Sequence, residues 1–164
     1  MDQQKKQKQI LMNKAFFYLR FRARSEFEMR QYLLKKSQTY KFDTIIVDDV
    51  IADLIKERYI NDVEFAQGYV RSRSNINPKG NYAISQELQQ KGVASIIIEA
   101  ALKENSVDEL TRARDVLKKK NNLLVHLQSE KRMQRALGHL QRRGFSYSVA
   151  KQAYDAHFNN ILYI

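Results

Sequence analysis

ISQELQQKGVASIIIEAAL, residues 84–102, and ALGHLQRRGFSYSVAKQAY, residues 136–154, carry one pattern twice at an offset of 52 residues. Ile84 and Leu88 stand where Ala136 and Leu140 stand, four apart, which places each pair on one helical face. Lys91-Gly92 and Arg143-Gly144 follow. A basic last turn and then a glycine is how a helix ends in the left-handed conformation, with the cation suited to the helix dipole. Beyond the glycine a double apolar pair starts a further helix: Ile97, Ile98, Ala101 and Leu102, then Val149, Ala150, Ala153 and Tyr154.

Working outward, the unit occurs three times. Ala15, Tyr18, Leu19 and Arg22 share their spacing with Ala66, Tyr69, Val70 and Arg73, and with Ala113, Val116, Leu117 and Lys120. Each set reads as a first helix with an apolar stripe closed by a cation. Met29 and Leu33 ahead of Lys36 and Ser37 begin the second-helix series, and Val50, Ile51, Leu54 and Ile55 the third. Caps agree: Ser25 with Glu28 forms a capping box, Asn61 with Glu64 resembles one, and Ser146 follows Gly144. The predicted fold is all-α, three tandem three-helix repeats stacked into an elongated, curved right-handed array. Expected boundaries are a polar tail at 1–9 and repeats at 10–60, 61–105 and 106–164. Longer loops are expected at Lys36 to Lys41, Ser74 to Asn81 and Lys120 to Ser129. Such an array closes its core without a second subunit, which predicts a monomer.

Composition supports a folded helical chain: 43% hydrophobic, 29% charged, with one proline and five glycines. The lack of cysteine removes disulfides, thiolate metal sites and a cysteine nucleophile, and fits a reducing cytoplasm. Residues 1–9 have no apolar core and read as a frayed tail rather than a secretory signal. The aliphatic runs Ile45 to Val47 and Ile96 to Ile98 are far too short to span a bilayer, so no membrane partner is expected. Net charge is +11, with 13 basic against 8 acidic residues in 1–60, 5 against 5 in 61–105, and 11 against 5 in 106–164. Fields of that sign draw in polyanions.

Chemistry-bearing motifs are scarce. His126, His139 and His157 lack metal-ligand spacing and read as surface or core residues. Asp48, Asp49 and Asp53 could in principle hold a divalent ion for a nuclease, but they interleave with Val50, Ile51 and Leu54 as the polar face of a helix. No nucleotide-cradling glycine loop or nucleophile elbow is present, so the chain reads as a binding protein, not an enzyme, with no cofactor. In the segment from Phe16 to Arg24, aromatics alternate with arginines as on single-strand-binding surfaces. Core packing is the favoured reading: Tyr18 and Leu19 fall on the buried stripe, and Phe17 and Phe21 on a second face that either packs on the next repeat, the favoured outcome, or stays exposed. The last repeat concentrates Arg112, Arg114, Lys118, Lys119, Lys120, Lys131, Arg132, Arg135, Arg142 and Arg143, with only Asp115 and Glu130 among them. That imbalance points toward a polyanion.

From Ala15 to Tyr154 the chain resembles the RecX family of recombination regulators. Arg22-Ala23-Arg24-Ser25-Glu26-Phe27-Glu28-Met29 with Leu33 looks like the family's R-x-R-S-x-x-E-[LM]-x-x-x-L. Asn61-Asp62-Val63-Glu64-Phe65-Ala66 with Tyr69 and Arg73, Pro78-Lys79-Gly80 with Ile84, Glu87, Leu88, Lys91 and Gly92, and Leu140-Gln141-Arg142-Arg143-Gly144-Phe145 are similar to its other motifs. Arg58 stands where the family usually has glycine, and Ala83 where arginine is common. The resemblance implies three tandem three-helix repeats and a non-catalytic protein that binds the RecA filament on single-stranded DNA and restrains its ATPase, strand exchange and coprotease activities. Expected partners are therefore the RecA recombinase filament and single- and double-stranded DNA. From charge and expected exposure, the contact residues are Arg20, Arg24, Arg71, Lys79, Arg112, Arg114, Lys118, Lys119, Lys131, Arg132, Arg135, Arg142 and Arg143. Arg22, Arg73 and Lys120 are set aside as residues that serve the fold. A basic DNA-binding protein independent of RecA is the alternative.

Overall fold

A computed structural model describes residues 2–105 and 107–159, and among them nine α-helices and no strand. They fall in threes: α1 (Asp2–Leu19), α2 (Glu26–Tyr40) and α3 (Ile45–Lys56); α4 (Asp62–Asn75), α5 (Asn81–Gln90) and α6 (Ser95–Glu104); α7 (Glu109–Leu124), α8 (Ser129–Gln141) and α9 (Tyr147–Phe158). Local chemistry sets the ends. Ser25 and Glu28 form the reciprocal capping box of α2, Asn61 Oδ1 accepts from the Val63 and Glu64 amides, and Ser146 Oγ accepts from the Val149 amide. Gly92 and Gly144 take the left-handed conformation at φ 75° and 82°.

Three expectations are corrected. Residues 2–9 are not a tail but the first turns of α1: glutamine and lysine are good helix formers, and Lys8 pairs with Asp53 of α3 at 2.7 Å. Residues 36–40 continue α2, because buried Ser37 sends its hydroxyl to the Phe42 carbonyl and Lys41 closes the helix in the left-handed region at φ 55°. Most of 120–129 is helical too. Nothing between Lys120 and Leu124 breaks a helix, and Leu124 is drawn into the core.

The helices divide into two compact units. One comprises residues through Ala66 with Leu88–Ile97; the other comprises Gln67–Glu87 with residues from Ile98 onward. In the first, Leu11, Ala15, Met29, Leu33, Val47, Val50 and Leu54 form a core against which Tyr18, Tyr32 and Phe42 pack. In the second, Ala113, Val116, Leu117, Ala136, Leu140, Ala150, Ala153 and Tyr154 do so.

Each unit contains the same joint at the N-terminus of a second helix. In the first, the Glu26 amide donates to Asp62 Oδ1 at 2.8 Å, Ser25 Oγ donates to the Lys91 carbonyl at 2.6 Å, and Gly92 lies so close to Phe27 that a Cβ there would overlap it. In the second, the Asn81 amide donates to Glu109 Oε1 at 2.8 Å, the Gly80 amide donates to the Arg143 carbonyl at 2.9 Å, and Gly144 abuts Ala83. An orphan helix donor is thus satisfied by an acid from the following triplet's first helix, and a glycine of that triplet's second helix closes the contact. The motifs that carry the family resemblance meet one another at these joints.

Candidate polyanion interface

The expected contact residues divide into those the fold consumes and those it leaves available. Arg112 is consumed. It is 2% exposed and donates to the Lys79 carbonyl at 3.0 Å and to Asn81 Oδ1, so it anchors the second joint instead of facing a ligand. Sequence placed it outside because arginine is rarely buried, and what makes burial tolerable here is the ring of carbonyl acceptors around it. Arg24 lies 3.7 Å over the Tyr18 ring, and Arg132 lies 4.9 Å over Phe158 while its Nε donates to the Tyr154 hydroxyl. Lys79 pairs with Glu87, Lys118 with Asp115 at 3.4 Å, and Arg143 donates to Asn77 Oδ1 at 2.9 Å and to the Pro78 carbonyl at 3.2 Å.

Arg20, Arg71, Lys119, Lys131, Arg135 and Arg142 remain exposed. Arg114 is half-buried beside His157, which burial, with Lys118 and Arg114, holds below its ordinary pKa. Arg71 lines a small cleft with Gln67, Glu104 and Asn105.

One place brings several cations together. Lys120, Arg135, His139 and Arg142 line an open groove of about 460 Å³ between α7 and α8, with Leu123 and Gln134 on its rim. A second cavity of about 350 Å³ shares His139 and Arg142 with it and adds Asn77, Lys79 and Arg143. Among the described residues no carboxylate lines either cavity. His139 Nε2 is buried without a hydrogen-bond partner, and burial, with Arg143, Lys120 and Arg142, holds the imidazole below its usual pKa, in the neutral form. By sequence Lys120 is set aside as a structural residue and His139 is taken as a surface or core one; the signal that could have found them is register, since Lys120 stands at the repeat position of Arg73 and His139 at that of Glu87.

Elsewhere, Phe17 and Phe21 do not pack as expected. They are 52% and 69% exposed and meet each other edge-on at 5.4 Å, with Arg20 5.9 Å over Phe17; Phe16 meets the Tyr59 ring of the turn after α3 at 4.9 Å, and Tyr18 stacks on Tyr32 of α2 at 4.1 Å. Asp48 and Asp53 are engaged by Arg30 and Lys8, and among the described residues no three His, Cys, Asp or Glu side chains are arranged to hold a metal ion. No helix among them is long and apolar enough to cross a membrane.

Family models for the second and third three-helix domains of RecX match residues 61–102 and 107–154. The chain belongs to the RecX family. Among its relatives are Regulatory protein RecX of Streptococcus pneumoniae strains CGSP14 and ATCC 700669, each 37% identical over 145 residues that cover 87% of this chain and 54% of the relative. The chain thus spans about half the length of the curated relatives it matches. The fold is also similar to two crystal structures. RecX from Lactobacillus salivarius has a TM-score of 0.80 at 24% identity, covering 94% of this chain and 97% of that one. A second regulatory protein RecX has a TM-score of 0.75 at 25% identity, covering 93% and 73%. The tandem three-helix architecture is therefore the RecX architecture.

Proposed function

We propose that this chain binds the RecA filament on single-stranded DNA and inhibits its recombinase activity, acting as a cytoplasmic regulatory monomer and not as a catalyst. The observation that carries this reading is the excess of available cations in the third triplet of a RecX-family chain: Lys119, Lys120, Lys131, Arg135 and Arg142, none of which an acid of the described residues neutralises. A nucleoprotein filament presents phosphates and acidic side chains along one groove. Cations spread over several helices meet such a surface through many modest contacts, and arginine's fork suits both phosphate and carboxylate.

The contact set under this proposal is Arg20, Arg71, Arg114, Lys118, Lys119, Lys131, Arg135, Arg142 and Arg143, joined by Lys120. Arg112 is withdrawn because it is buried, and Arg24, Lys79 and Arg132 because Tyr18, Glu87 and Phe158 with Tyr154 engage them, whereas Lys118 stays exposed beside Asp115 and Arg143 meets only neutral acceptors. RecA ATPase stimulated by single-stranded DNA is the measurement. Adding the protein lowers the rate and changes filament lifetime; unchanged values of both sink the proposal. Tight binding to naked DNA without any gain from RecA selects the RecA-independent reading instead.

A further inference from the structure

At one pair of equivalent positions the second and third triplets differ in a way that leaves charge unbalanced. Arg73, which closes the first-helix stripe of the second triplet, donates to Glu87 Oε2 of its second helix at 3.0 Å. Shifted to the third triplet, Arg73 becomes Lys120 and Glu87, at the offset of 52, becomes His139. The carboxylate that accepts hydrogen bonds from Arg73, Tyr69 and Lys79 is replaced by a neutral imidazole. Lys120 keeps its place, and Arg135 and Arg142 of the neighbouring helix turn into the same groove. Gly138 makes room for this: a Cβ there would stand 3.3 Å from Arg142 Nη1.

A site with its counter-charge removed and its cations retained is complete only when an anion arrives from outside. We infer that the groove between α7 and α8 around His139 is a phosphate site for a nucleic-acid strand, in which backbone phosphates take the place that Glu87 holds in the second triplet. The two cavities share His139 and Arg142, so anions can occupy successive positions along one line, as a phosphodiester backbone presents them. Leu123, 67% exposed at the rim, offers an apolar surface to a sugar or base edge. Arg142 and Arg135 supply forked donors for non-bridging oxygens, and Lys120 a point charge. The inference rests on the RecA-filament reading for which strand is met, but the phosphate chemistry stands without RecA.

Labelled oligo-dT binding is measured without RecA across 50–200 mM salt for the full chain and three variants. K120A/R135A/R142A lowers the salt slope by about 2 and the affinity about tenfold, since each lost phosphate contact to a single strand contributes about 0.7 to the slope. His139→Glu, which restores the second-triplet carboxylate with a single unit of charge, weakens binding more than K35A/K56A/K103A, which removes three charges from exposed residues that do not line the groove. A methylphosphonate oligomer of the same length loses its sensitivity to the groove variants. On wild-type protein the His139 ring resonances shift with oligo-dT, and their titration midpoint rises, because a bound phosphate opposes the field of Lys79, Lys120, Arg135, Arg142 and Arg143. Equal losses in the groove and control triples, undiminished binding by His139→Glu, or a silent His139 each overturn the site. If the site holds but RecA ATPase is indifferent to the protein, the filament reading fails and the groove stands.

Discussion

At the N-terminus of α2, the glycine joint is held by charge. Glu28 accepts from both Arg22 guanidinium nitrogens at 2.7 and 2.9 Å and from Lys91 Nζ at 3.2 Å, and the Phe27 ring above Gly92 is half in solvent. At the N-terminus of α5 the corresponding joint is held by backbone. Gly80 bonds the Arg143 carbonyl directly, a Cβ on Gly80 would overlap the Gly144 carbonyl and the Phe145 amide, and buried Arg112 fixes the Lys79 carbonyl below. Both joints give the first amide of the helix a carboxylate, Asp62 or Glu109, but the first adds a part-exposed ion-pair cluster and the second a main-chain hydrogen bond and a buried arginine. The second closes glycine against main chain; the first closes it against a side chain and adds a contribution sensitive to pH and salt.

The largest expected effect tests that difference. Gly80→Ala costs at least about 3 kcal/mol, because the added methyl overlaps the Gly144–Phe145 peptide, whereas Gly92→Ala costs about 2 kcal/mol from left-handed strain plus a shift of the N-terminus of α2, since the added methyl overlaps the Phe27 Cβ as well as its ring. Urea unfolding followed by circular dichroism ranks the two, and hydrogen exchange locates the loosening in residues 80–145 for the first and 25–35 with 88–95 for the second. Equal costs break the comparison. Next comes Arg112→Met, which leaves the Lys79 carbonyl and Asn81 unpaired and costs about 2–3 kcal/mol. Its oligo-dT salt slope stays that of the wild type; a lowered slope returns Arg112 to the ligand-binding set.

The charged joint makes its own prediction. Burial raises the Glu28 pKa, but hydrogen bonds from Arg22, Lys91 and the Ser25 amide outweigh it and bring the value from 4.5 to about 2. A carboxyl depressed in the folded state contributes stability that is full above its unfolded pKa and is lost as pH falls from there through about 2. Discounted for partial exposure, the contribution is about 1 kcal/mol. Stability measured from pH 6 to pH 2 therefore falls less in Glu28→Gln than in wild type by that amount, and the exchange protection of residues 88–95 drops first. Burial raises the Glu87 pKa too, and hydrogen bonds from Lys79, Tyr69 and Arg73 outweigh it and lower the value, but Glu87 anchors the Lys79 side chain and not the glycine contact.

The helices, their order and most of their caps were legible in the sequence because they depend on neighbours three or four residues away. Ser25, Asn61, Gly92, Ser146 and Gly144 all do locally what their types suggest. The joints were half legible: their residues stood out as motifs, but which motif met which required the chain to come back on itself. Site residues were read least well. Burial of Arg112 depends on carbonyls more than thirty positions away, and the exposure of Phe17 and Phe21 on what does not pack against them. Lys120 was visible as a repeat position and His139 lies between two of them, Ala136 and Leu140, yet their meaning lies in the loss of a partner that the Arg73–Glu87 pair reveals.

The smallest expected effect concerns Arg58, where the family's usual glycine is missing. Arg58 adopts φ 59°, the left-handed region that glycine enters freely, and its amide donates to the Ile55 carbonyl at 3.0 Å. The helix therefore still ends where a glycine would end it, at a steric cost of about 1 kcal/mol for a residue with a Cβ. Arg58→Gly removes that cost but adds roughly 0.5 kcal/mol of unfolded-state entropy, so the net gain is about 0.5 kcal/mol. Lys41, at φ 55° after α2, gives the internal control: Lys41→Gly yields a similar gain. Thermal unfolding of the two variants settles the matter within a degree or two. A loss of stability in Arg58→Gly alone means that this side chain holds a contact worth more than the strain it imposes.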